Sequence, residues 1–178
     1  KGAVSIGMLG NATGAATING GDINGFLVVY GTAEISGGNF AYIENRGTFT
    51  MTGGTAENDI DYGIWTNVQA GKTELENVTI KSKTGVYVYY GQLTIKNGVN
   101  ITATEYGVDG INSNATLVGS PIIHGNKADL CIRSMKVPLP NSSVDATKYT
   151  GTEELTVEEQ EFPDAHEGCL DRDVPCRG

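Results

Sequence analysis

The sequence predicts an all-β fold, a right-handed single-stranded parallel β-helix (a solenoid) of about six coils with a C-terminal cap. Two observations carry this. First, residues 47–114 can be laid on themselves. Gly47-Thr-Phe-Thr-Met-Thr-Gly-Gly-Thr, Gly71-Lys-Thr-Glu-Leu-Glu-Asn-Val-Thr-Ile and Gly91-Gln-Leu-Thr-Ile-Lys-Asn-Gly-Val align from their glycines. Each is followed by an apolar run opened by glycine: Tyr62-Gly-Ile-Trp, Thr84-Gly-Val-Tyr-Val-Tyr and Tyr106-Gly-Val-Asp-Gly-Ile. Second, the apolar anchors recur. Ile64, Val86, Val108 and Leu130 are spaced 22, 22 and 22, while Ile18, Ile35, Met51, Leu75, Ile95 and Val118 are spaced 17, 16, 24, 20 and 23.

A period near 22 fits one solenoid coil of three short strands. A propeller needs roughly 40 or more residues per repeat, and a leucine-rich repeat needs a dense leucine consensus that is absent. Between the anchors the pattern alternates, as in Thr-Phe-Thr-Met-Thr, so alternate side chains face in and out. The sharp turns of each coil need residues tolerant of positive φ, and Gly53-Gly54, Asn97-Gly98 and Gly125-Asn126 sit where turns are expected. The shorter early separations predict smaller N-terminal coils. Residues 1–133 are expected to form the coils. After Arg133 the repeat fades into Met135-Lys-Val-Pro-Leu-Pro, which suits an edge or exit. A solenoid end exposes open strand edges, so residues 134–178 are expected to form the cap.

Composition agrees. Glycine is abundant, at 25, and proline scarce, at 5, without a collagen period. The net charge of −9 argues against nucleic acid and anionic membrane surfaces, which are bound through basic patches. No apolar run reaches the roughly 20 residues that span a membrane. The first residues lack a signal-peptide core and the chain does not open with Met, so further segments are expected outside it. Cys131 lies alone in an apolar run. Cys169 and Cys176 either close a short disulfide loop or stand as two thiols; with His166 they are too few for a zinc site.

Gly47-Thr-Phe-Thr-Met-Thr-Gly-Gly-Thr-Ala-Glu-Asn resembles the "GTFTMSGGTISGN" repeat of adhesin-like surface proteins of bacteria. Those repeats are similar to the right-handed parallel β-helix (pectate-lyase-like) superfamily. Gly37-Gly-Asn-Phe-Ala-Tyr-Ile and Asn126-Lys-Ala-Asp-Leu-Cys-Ile are of the same style, and the resemblance covers roughly residues 16–133. It implies a non-catalytic, extracellular or cell-surface scaffold, with a glycan or a host or cell-surface protein as partner. It also implies the alternative of a polysaccharide lyase or glycoside hydrolase, or a fragment of one, because many β-helix proteins act on acidic polysaccharides.

That chemistry asks for particular residues. Glycoside hydrolysis needs two carboxylates at a set separation across the sugar. Asp109 with Asp129, or Asp59 with Asp61, could approach it, against the plainer reading as solvated turn residues. Polygalacturonase-like motifs are not matched: there is no Asp-Asp pair, Ile123-His-Gly-Asn is not Gly-His-Gly, and Cys131-Ile-Arg-Ser is not Arg-Ile-Lys. A lyase would need clustered carboxylates and a base, and the coils carry only Arg46 and Arg133 as arginines. His124 and His166 read as surface or turn residues. No catalytic residue, metal site or cofactor is assigned. The Asn-X-Ser/Thr sequons at Asn11, Asn77, Asn100, Asn114 and Asn141 are read as compositional.

The aromatics are the stronger signal. Tyr62, Trp65, Tyr87, Tyr89, Tyr90 and Tyr106 fall in successive coils. If Val86 and Val88 point inward, Tyr87 and Tyr89 point outward beside Trp65. Such a ridge can stack on sugar rings or anchor a protein, or simply stabilise the sheet. A Thr-rich face of the ice-binding kind would need a regular Thr-X-Thr column, and only Thr48-Phe-Thr-Met-Thr shows it.

Overall fold

The structure is a computed structural model that describes residues 3–8, 13–111 and 113–133, and the short segments 137–138, 159–160 and 168–170. The described chain is all strand and turn. The order is β1 (Ala3–Ile6), β2 (Ala15–Ile18), β3 (Asp22–Val29), β4 (Thr32–Ile35), β5 (Asn39–Asn45) and β6 (Thr48–Met51). Then come β7 (Gly54–Leu75), β8 (Val78–Ile95), β9 (Asn100–Ile111), β10 (Ser113–Leu117), β11 (Ile122–Gly125) and β12 (Ala128–Arg133). The longer strands run through corners and serve more than one face. All pairings among β1–β12 are parallel. The result is a three-faced parallel β-solenoid of about five turns, close to the expected six.

Each face contributes one inward column to a single core. On the first face Ile18, Ile35, Met51, Leu75, Ile95 and Leu117 lie in register. On the second, Ile23, Phe40, Ala56, Ile80, Ile101 and Ile123 do so. The third column is Leu27, Ile43, Ile64, Val86, Val108 and Leu130, containing the whole 22-spaced series. Nearly all of these side chains are buried, and burial of such apolar surface is the main stabilising term. One anchor is corrected. Leu117, not Val118, stacks on Ile95. Because strand side chains alternate, a slip of one residue moves Val118 off the core face.

The corners explain the glycines. Between the second and third faces, Gly63, Gly85 and Gly107 stack by register and are buried. A Cβ on Gly63 would stand 2.6 Å from Ile80 Cγ2, and one on Gly107 would stand 2.5 Å from Ile123 Cγ2. On Gly85 it would collide with Ile101 Cγ2 and lie 2.5 Å from the Gly107 carbonyl oxygen. In each case the obstructing isoleucine belongs to the next coil. At the expected turns, Gly54 (φ 99°) and Gly98 (φ 72°) do adopt the left-handed region, whereas Gly125 ends β11 without positive φ.

Coil three carries an insertion between Asn67 and Lys72, where the pairing with β8 shifts register. A buried polar group closes its base. Asn45 Nδ2 donates to the Lys72 carbonyl at 2.8 Å and to Thr73 Oγ1 at 2.9 Å, while its Oδ1 accepts from the Gly47 N–H at 2.9 Å. Thr66 and Thr73 hydroxyls meet at 2.6 Å. Buried polar atoms are tolerated here because each finds a partner.

Most of the expected cap, 134–178, lies outside the described residues. Its β15 (Gly168–Leu170) pairs antiparallel with β12, so it covers that strand's open edge, and β13 (Val137–Pro138) pairs antiparallel with β14 (Glu159–Gln160).

Gly85→Ala should lower stability by about 2–3 kcal/mol, because neither the isoleucine nor the backbone carbonyl can retreat. Gly20→Ala, where nothing lies within 4 Å, should be neutral or raise stability by about 0.5 kcal/mol. Urea titration of both variants checks this; equal effects would contradict the corner packing.

Candidate functional site

The strand period decides where the aromatics point. Ile64, Thr66, Val86 and Val88 are buried inward, so Trp65, Tyr87 and Tyr89 face away from the core. Trp65 pairs in register with Tyr87, and Glu44 with Trp65. Tyr62 reaches across the corner to lie on Tyr87, with ring centroids 4.6 Å apart and planes 14° apart. Trp65 lies 5.9 Å from Tyr62 and 6.2 Å from Tyr87; Tyr89 lies 6.4 Å from Tyr87 and 4.5 Å from Tyr90. Five rings therefore form one continuous patch. Tyr89 is its most open member, 38% exposed; the others are half-buried against one another. Trp65 Nε1 is covered and has no hydrogen-bond partner. Tyr106 belongs elsewhere: Thr84 separates it from Tyr62 in register, and Lys127 Nζ lies 5.5 Å from its ring.

A second feature adjoins the patch, and sequence reasoning missed it. At the corner between the second and third faces, coil two spends only Ala41 and Tyr42 between Phe40 and Ile43. Coil three spends residues 57–63 between the paired Ala56 and Ile64. The short corner is a notch with a long wall beside it. The resulting cleft has a volume of about 400 Å³ and is lined by Asn24, Phe26, Tyr42, Glu57, Asp59 and Asp61 among others. Phe26 and Tyr42 pack edge to face, centroids 5.0 Å apart, and Phe26 is 49% exposed. Burial, then the nearby Glu44, Asp61 and Tyr62, pushes the Tyr42 phenol far above the ordinary tyrosine range.

The carboxylate pairs fare differently. Asp59 and Asp61 lie together on the cleft wall. Asp109 and Asp129 are both buried, which corrects their reading as solvated turn residues. Asp109 faces away from the core in line with Tyr87. Asp129 follows the glycine column by register, and its carboxylate accepts the Gly125 N–H at 2.9 Å with His124 Nδ1 at 3.6 Å. The two do not face each other across an open groove. His124 is half-exposed; His166 lies outside the described residues. No three His, Cys, Asp or Glu side chains among the described residues converge to hold a metal.

Cys131 is not alone in the fold. Cys131 is disulfide-bonded and Cys169 is its cross-strand partner in register. The expected Cys169–Cys176 loop falls on side chains outside the described residues. Cys176 lies outside the described residues. The outward row of the first face reads Thr17, Glu34, Thr50, Glu74, Thr94 and Thr116, so the Thr-X-Thr of coil three is not continued.

The class these observations define is an all-β parallel solenoid carrying a surface aromatic patch and an adjoining acidic cleft. Compared with models of known protein families, with curated proteins and with solved structures, the chain has no match.

Tyr42 also gives a pH signature. Its pKa is raised on folding, so stability is intact below about pH 10 and is lost as the pH climbs past the ordinary tyrosine value. Wild type should lose melting temperature more steeply between about pH 10 and 12 than Tyr42→Phe. Parallel curves would contradict the burial described.

Proposed function

We propose that this chain is a non-catalytic, extracellular β-solenoid module of an adhesin-like surface protein, which binds carbohydrate on a cell or host surface through its outward aromatic patch. The observation that carries the reading is the continuous stack of Tyr62, Trp65, Tyr87, Tyr89 and Tyr90 on the outside of a core that is complete without it. Flat rings at a partly exposed surface suit the apolar faces of pyranoses, and the uncompensated cost of leaving them wet favours a partner. The acidic balance supports a neutral or basic partner rather than nucleic acid. No helix among the described residues is long and apolar enough to cross a membrane. The resemblance of residues 47–58 to adhesin-like repeats supports the bacterial, surface-exposed setting.

A glycan array followed by calorimetry on the best hit tests this. Wild type should bind, and Tyr89→Ala and Trp65→Ala should each weaken binding about threefold to tenfold, the worth of one stacked ring. Circular dichroism confirms that the variants remain folded. Absence of binding by wild type, or unchanged binding by both variants, would sink the carbohydrate reading.

A further inference from the structure

The cleft beside the aromatic patch carries chemistry that the patch does not. Its wall holds Glu57, Asp59 and Asp61. Among the described residues, the ion pairs are Arg46–Glu44, Lys83–Glu105, Lys127–Glu105, Lys96–Glu74 and His124–Asp129, and none reaches these three carboxylates. No ion pair among the described residues fixes these three carboxylates, although Lys81 stands across from Glu57 in register. The three do not converge as metal ligands would. They are spread along a wall facing an edge-to-face aromatic pair whose outer ring, Phe26, is half open to solvent. A volume of about 400 Å³ falls at the lower end of small-ligand sites, roughly 300–1,000 Å³.

We propose that this cleft binds a protonated amino sugar. The apolar face of the pyranose stacks on Phe26, where the quadrupole of the ring also attracts an adjacent cation. The ammonium sits along the wall that carries Glu57, Asp59 and Asp61, and the Asn24 amide lies within the same lining for the hydroxyls. The fold makes the cleft by the difference in corner length between coils two and three, so the site is specific to this part of the solenoid. A lysine side chain offers the same ammonium, but its flexible stem lacks the rigid apolar face that the Phe26 ring would cover. The inference does not depend on glycan binding by the outer patch.

Calorimetry at pH 6 with a β-1,4-linked glucosamine tetramer, its fully N-acetylated counterpart and a lysine tetrapeptide tests the proposal. The free-amine sugar should bind at least about tenfold tighter than the acetylated one, and its binding should weaken with salt. Glu57→Gln/Asp59→Asn/Asp61→Asn should lose about tenfold, the combined effect of three partly exposed charges. Phe26→Ala, at a half-exposed position, should lose a further few-fold without affecting the fold. Equal binding of the two sugars, no binding of either, tighter binding of the peptide, or an unaffected triple variant would each overturn it. Failure of neutral glycans to bind Trp65 and Tyr89 would alter none of these outcomes.

Discussion

The coils of this solenoid stack at the spacing of a parallel sheet, about 4.8 Å, and where a corner turns against an isoleucine of the next coil that spacing leaves no room for a side chain. Everything else follows. Gly63, Gly85 and Gly107 are required because the isoleucine of the next coil and a stacked carbonyl occupy the place of a Cβ. The pattern stops where the constraint stops. The fourth position in that column is Asp129, and among the described residues no further coil follows to obstruct it. There the carboxylate accepts the Gly125 N–H. The column is confined to coils three to five: Phe26 and Tyr42 hold the equivalent positions in coils one and two, where the next coil presents Phe40 or Ala56 rather than an isoleucine.

Stacking also determines where the molecule can vary. Inward positions mostly repeat apolar groups, and the corners of coils three to five that face an isoleucine of the next coil stay small. Outward positions and corner lengths are free, and function is expected where freedom is used. Coils three and four use the outward positions for aromatics, and the corner of coil three uses extra length to raise an acidic wall over its shorter neighbour. Patch and cleft meet through Tyr42, whose phenol feels both Asp61 and Tyr62. Two surface chemistries, flat apolar rings and fixed negative charge, thus lie side by side on a frame that needs neither.

Much of the fold was legible because the 22-residue spacing from Ile64 to Leu130 reflects coils of nearly constant size, and all four residues stack as one column. The anchor at Val118 was misplaced by one because spacing alone cannot distinguish two adjacent apolar residues, whereas register can. The second-face column was not seen. Its members Phe40, Ala56, Ile80, Ile101 and Ile123 are separated by 16, 24, 21 and 22 residues, and corner insertions scramble the period. The outward facing of Trp65, Tyr87 and Tyr89 was readable from alternation. The cleft was not, since it arises from a difference between two coils rather than from any motif. The antiparallel return of β15 onto β12 is a long-range pairing that no local pattern announces.

The central claim is the in-register parallel stack, and engineered disulfides test it most directly. Lys81 and Thr102 are exposed, outward and paired across adjacent coils. With cysteines at both positions, the pair should oxidise rapidly and completely under mild oxidant, since paired strands stand about 4.8 Å apart. Cysteines at 81 and 104, two residues out of register, should cross-link far more slowly. Equal cross-linking of the two pairs, or preference for the second, would contradict the stacking from which the corners, the patch and the cleft are derived.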